Sequence, residues 1–129
     1  MANLQQCPCG SDQAYAVCCE PYLSGKSVPP TPEHLMRSRY TAYVVNAEDY
    51  LLATWHPSTR PAQLNLASER HTKWLALKIV AADTDSNQRE GKVEFIARYK
   101  VNGKAQRLHE VSRFVMENKQ WLYLDGDIK

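Results

Sequence analysis

Hydrophobic positions along this chain repeat with two different periods, and the period changes near Trp74. Before it, Met36, Tyr40, Tyr43 and Val44 recur at helical spacing, which gives a helix one apolar face. Thr31 stands where it can cap that helix, and Pro32 suits a first helical position, where its missing N–H leaves no bond unmade. A second helix is predicted to start at Asn46, with Asp49 in its first turn, and to run through Tyr50, Leu51, Leu52 and Trp55. His56-Pro57 ends it, because a residue before proline avoids the helical region. A short third helix is expected around Leu64 to His71. From Trp74 the period is two: Leu75, Leu77, Ile79 and Ala81 alternate with more polar neighbours, and 83–91 read as a polar loop. Val93, Phe95, Ala97, Tyr99 and Val101 alternate next, Asn102-Gly103 is a hairpin turn, and Leu108 to Met116 form a third strand. A turn near Asn118 leads to a fourth, from Trp121 to Leu124. Helices followed by an antiparallel meander predict an α+β domain.

The four cysteines stand apart from both patterns. Cys7, Cys9, Cys18 and Cys19 all fall in the first 19 of 129 residues. A proline-rich run with Pro29, Pro30 and Pro32 follows, so the expected organisation is a knuckle over 1–24, a linker over 25–32 and a main domain over 33–129. Two cysteine pairs brought together by a short loop supply the four soft ligands of a tetrahedral ion. Gly10 can adopt the backbone angles of a tight metal turn. Ser11 or Asp12 could cap a short helix through Ala14, Tyr15 and Val17 that delivers Cys18 and Cys19. A shell of four protein thiolates leaves no open position, which argues for a structural ion and against metal catalysis. Disulfides within Cys7-Cys9 or Cys18-Cys19 would be strained. Zinc is the expected ion, although four thiolates also suit iron.

No stretch approaches the roughly 20 apolar residues that span a bilayer, and residues 1–6 show no secretory pattern, so a reducing, cytoplasmic location is expected. Sixteen Lys and Arg against 14 Asp and Glu give a formal charge of +2, which a four-thiolate site around a divalent ion would bring close to zero. Lysines are interspersed with acids and most aromatics lie at core-facing spacing, so nucleic-acid binding is not suggested.

The run CPCGSDQAYAVCCEPYLSG resembles the SEC-C motif, a metal-binding module also found at the C-terminus of the SecA translocation ATPase. Cys7, Cys9, Cys18 and Cys19 fall on its four ligand positions, while the basic residues usual between the pairs are absent. With LMRSRYTAYVVNAEDYLLATWHP, KVEFIARYK, LHEVSRFV and WLYLDGD, the whole chain resembles the YchJ family of small bacterial proteins. That resemblance implies metal binding and a main domain of the nuclear transport factor 2-like fold, a curved antiparallel sheet wrapped around helices. The SecA module engages a secretion chaperone, so the likeness implies a protein partner docking on the knuckle.

A cone of this kind can enclose a small-molecule or enzymatic pocket. Glu110 and Ser112 share a strand face with Leu108, Phe114 and Met116, so both are expected on the concave side. Tyr99 could join them from the neighbouring strand, and Arg37 or Arg39 from the first helix. A carboxylate beside an arginine there could bind a ligand, or simply seal the core as an ion pair. His56, His71 and His109 are read as surface or capping residues, with His109 on the face opposite Glu110.

Overall fold

The computed structural model describes residues 6–64, 66 and 72–129. A 3-10 turn, Tyr15–Val17, and a short helix α1, Glu20–Leu23, precede α2, Pro32–Val44, and α3, Glu48–Ala53. Four strands follow: β1 Thr72–Thr84, β2 Glu90–Val101, β3 Lys104–Glu117 and β4 Gln120–Ile128. They form one antiparallel sheet in the order β1-β2-β3-β4, and α2 packs across its concave face. The α+β class and the meander are therefore as the periodicity predicts.

Local chemistry sets the element ends. Thr31 accepts from the His34 backbone N–H at 3.1 Å, with Pro32 in the first turn of α2. Gly91 is buried under that end of the helix, where any Cβ would run into the Pro32 ring. Asn102 and Gly103, at φ +52° and +82°, close the β2–β3 hairpin, and Asn118 and Lys119 do the same for β3–β4.

Three expectations change. Asn46 takes φ +61° and terminates α2; α3 starts two residues later, its cap position being Ala47 with no side-chain bond. Asparagine tolerates the left-handed region, so the same residue serves as a stop instead of a start. Trp55 lies beyond α3, in a bridge to Tyr123, fixed by His56 N–H to Tyr123 O and Tyr123 N–H to Thr54 O, both 2.8 Å. In β1 the register slips between Trp74 and Ala76, so Trp74 and Leu77 turn toward the core while Leu75 is 46% exposed. An extra residue in a strand reverses the face of everything on one side of it, which strict alternation cannot anticipate. The third predicted helix, with His71, falls largely outside the described residues.

The core joins both ends of the chain. Phe95, Ala97, Phe114 and Trp121 of the sheet and Leu35, Met36 and Tyr40 of α2 form one buried cluster with Cys7, Cys9 and Cys19. The expected linker is no free tether. Pro29 and Pro32 are buried and Trp121 Nε1–H donates to Pro30 O at 3.3 Å, so residues 29–32 lie against the sheet while 24–28 are exposed.

Candidate functional site

The cysteine loop is folded by its own backbone. Cys7 N–H donates to Gln13 O at 2.8 Å, Gly10 N–H to Cys7 O at 3.3 Å, and Gly10 and Asp12 adopt φ +82° and +68°. Gly10 also abuts β1: a Cβ there would sit 3.0 Å from the Leu77 carbonyl oxygen. The 3-10 turn brings Cys18 back, its N–H donating to Tyr15 O at 3.1 Å, and the Cys19 carbonyl accepts the N–H groups of Tyr22 and Leu23 in α1. Neither Ser11 nor Asp12 caps the turn, whose cap position is Ala14. Ser11 instead places its hydroxyl 3.1 Å from Cys18 Sγ, a contact a thiolate would accept.

All four Sγ atoms lie within 4.8 Å of one another. Cys9 to Cys18 is 3.6 Å and Cys18 to Cys19 is 4.0 Å. A tetrahedral ion with roughly 2.3 Å bonds to sulfur needs edges of about 3.8 Å. The donor set therefore fits a metal ion with little rearrangement, and Cys7, Cys9 and Cys19 are buried. Around it, Thr41 Oγ1 lies 3.7 Å from Cys7 Sγ, and Arg37 Nη1 donates to Cys9 O at 2.8 Å while its Nε holds Glu33 at 3.1 Å. Burial opposes the Arg37 charge, but Glu33 and Cys9 outweigh it and raise its pKa.

Without a cation the thiols compete for charge. Hydrogen bonds from Cys19 and Cys7 hold the Cys9 thiol far below its usual range. Its neighbours are pushed the other way: Cys18 rises to about 11, mainly through burial, and Cys19 rises further, through its bonds to Cys7 and Cys9. Four thiolates can coexist at this spacing only around a cation.

The residues expected around a pocket separate into three places. Arg37 belongs to the cysteine cluster, and Tyr99 packs against Trp74 with ring centres 5.1 Å apart. Glu110 and Ser112 do meet, beside a cavity of about 230 Å³ whose walls include Arg39, Trp55, Trp74, Phe95 and Tyr123. Ser112 donates to Glu110 Oε2 at 2.9 Å and Tyr123 O–H approaches the same oxygen at 3.4 Å. The other arginine weighed for the first helix is the one present. Arg39 is 3% exposed, its Nη1 donating to Leu51 O at 2.8 Å and Thr54 Oγ1 at 2.7 Å. Its guanidinium lies 4.9 Å from the Trp55 ring centre and 4.6 Å from that of Tyr123. Burial lowers its pKa to about 10, so it stays charged at neutral pH. Helical spacing could have sorted the two arginines: Arg37 shares a face with Thr41, one turn on, and Arg39 shares one with Tyr43. Trp55 and Tyr123 carried no such signal, because their placement depends on the bridge after α3.

His56 and His109 face carboxylates elsewhere, Glu117 at 2.6 Å and Glu94 at 2.7 Å.

Two family models match the chain: YchJ, middle NTF2-like domain, over residues 31–126, and the SEC-C motif over residues 5–21. The chain belongs to the YchJ family. A SEC-C motif containing protein from Rhodopseudomonas palustris is 34% identical, covering 95% of this chain and 98% of that one, with a TM-score of 0.86. Another from Psychrobacter arcticus is 31% identical, covering 98% and 84%, with a TM-score of 0.81. A putative Ca/calmodulin-dependent kinase II association domain from Exiguobacterium sibiricum, 10% identical over 80% of this chain and 96% of that one, has a TM-score of 0.55 and shares the fold alone. No helix among the described residues is long and apolar enough to cross a membrane.

Proposed function

We propose that this member of the YchJ family is a cytoplasmic zinc protein whose Cys7, Cys9, Cys18 and Cys19 hold a structural ion and whose knuckle docks on a protein partner. The convergence of four Sγ atoms within 4.8 Å carries the metal reading. Zinc is favoured over iron because closed four-thiolate shells that build a surface are its commonest structural use. A reducing compartment suits thiols that must stay free to ligate. The docking reading is supported by Val17, 72% exposed on the turn between the ligand pairs, with Tyr15 of that turn and the cysteines packed on the core behind it. Elemental analysis of natively purified protein tests the ion: one zinc per chain supports it, and iron or an empty site overturns it. Capture of partners by wild type but not by Val17→Asp, with equal metal content, supports docking; identical partner sets in both overturn it.

A second reading concerns the main domain, where the cavity beside Arg39 and Glu110 favours a small ligand. It needs no contribution from the cysteine cluster.

A further inference from the structure

Arg39 is a buried cation whose charge is offset at a distance, by Glu110 on the same cavity. Among the described residues no carboxylate reaches it at ion-pair distance. Both of its hydrogen bonds use Nη1, and the rings of Trp55 and Tyr123, 5.0 Å apart and nearly perpendicular, pack together on one side of it. The Nε–Nη2 edge is left with no acceptor among the described residues. Neither nitrogen is among the sealed polar atoms without a partner, and Arg39 lines the cavity wall. Two parallel N–H groups on one guanidinium edge match the two oxygens of a carboxylate. Trp55, on the same wall, holds the one sealed side-chain polar atom without a partner among the described residues, its indole Nε1–H.

Glu110 sets the second requirement. Its Oε2 accepts from Ser112 and Tyr123, while Oε1 has no partner among the described residues. A simple acid on Arg39 would leave a net negative charge in an aromatic cavity, and a simple amine on Glu110 a net positive one. Either is unfavourable where water is scarce. A ligand with both charges leaves none. The volume, about 230 Å³, equals roughly seven or eight water volumes and lies below the range typical of cofactor or drug sites. Trp74 and Phe95 supply an apolar wall for the rest of the molecule.

We propose that this cavity binds a compact zwitterion, a free amino acid with an apolar side chain, its carboxylate held by the Nε–Nη2 edge of Arg39 and its ammonium by Glu110. The assignment rests on the cavity reading given above and is independent of the metal.

The test is calorimetric titration of the metal-loaded full chain with L-leucine and L-phenylalanine, and with the matched molecules lacking either the amino group or the carboxylate. At least one amino acid is expected to bind about tenfold or more tightly than both of its trimmed analogues, as the loss of one charge-assisted contact requires. Glu110→Gln should erase the preference over the deaminated acid, and Arg39→Lys, which keeps charge but loses the fork, the preference over the amine. Should Arg39→Lys fail to fold, Ala97→Leu, which grows into the cavity, replaces it and should abolish binding. Equal or tighter binding of a trimmed analogue overturns the zwitterion while leaving a ligand cavity standing. Absence of binding by every molecule of the panel overturns both.

Discussion

Arg39 and Glu110 show how much a single position on α2 or β3 decides. Glu110 leans over Gly126, where any Cβ would collide with its carboxylate. Gly126→Ala should therefore push Glu110 off Ser112 and Tyr123 and lower stability by about 1.5–3 kcal/mol, the worth of a hydrogen bond to a charged group. Chemical denaturation checks this; an unchanged midpoint would show that Glu110 moves without loss. The buried tyrosines give a pH signature. Burial raises the Tyr50 pKa to about 12 from an ordinary 10.0, so its proton is held more tightly folded than unfolded. The stability it contributes is present below pH 10.0 and is lost as pH rises toward 12. Arg39, lowered from 12.5 to about 10, acts in the opposite sense over much the same range. Comparing wild type with Tyr50→Phe separates them: the variant should lose stability less steeply between pH 10 and 12, and identical slopes would contradict the assignment.

At the scale of elements, caps and turns were legible in the sequence and departures from period were not. Thr31-Pro32 and Asn102-Gly103 announce a helix start and a hairpin because their side chains act on their own backbone. Thr31→Ala should lower stability by about 1 kcal/mol, read from the thermal or denaturant midpoint, since His34 N–H loses its acceptor. The slip beside Leu75 has no local signature. It arises because α2 and the cysteine loop both land on β1, and the strand must present Trp74 to Tyr40 and Tyr43 as well as Leu77 to the core. The convergence of the four cysteines was legible because metal chemistry favours closely spaced pairs of soft ligands. The cavity was legible only in Glu110 and Ser112. Helical spacing, which puts Arg39 on the face of Tyr43, could have chosen the arginine, but Trp55 and Tyr123 reach the cavity through a bridge between segments 68 residues apart.

For the whole molecule, the consequence is that the knuckle and the main domain share one core. Sequence alone suggested a module joined to the main domain by a proline-rich linker. Cys7, Cys9 and Cys19 instead pack with Leu35, Met36, Tyr40 and Phe95, and Arg37 and Thr41 reach the cluster from α2. The binding free energy of an ion held there would then be folding free energy for the entire chain. Binding should also release two or more protons at neutral pH, because Cys18 and Cys19 hold theirs until a cation arrives. Calorimetry in buffers of different ionisation enthalpy reads that number, and release of none would contradict the thiolate site.

The most direct measurement is thermal unfolding of the purified protein, followed by sheet and tertiary signals together, with metal content determined on the same samples. Wild type should carry one ion per chain and unfold in a single transition. Cys9→Ser, or chelation of wild type, should remove the ion and lower the midpoint of that whole transition. A metal-free protein whose main domain unfolds at the wild-type temperature would contradict a shared, metal-braced core.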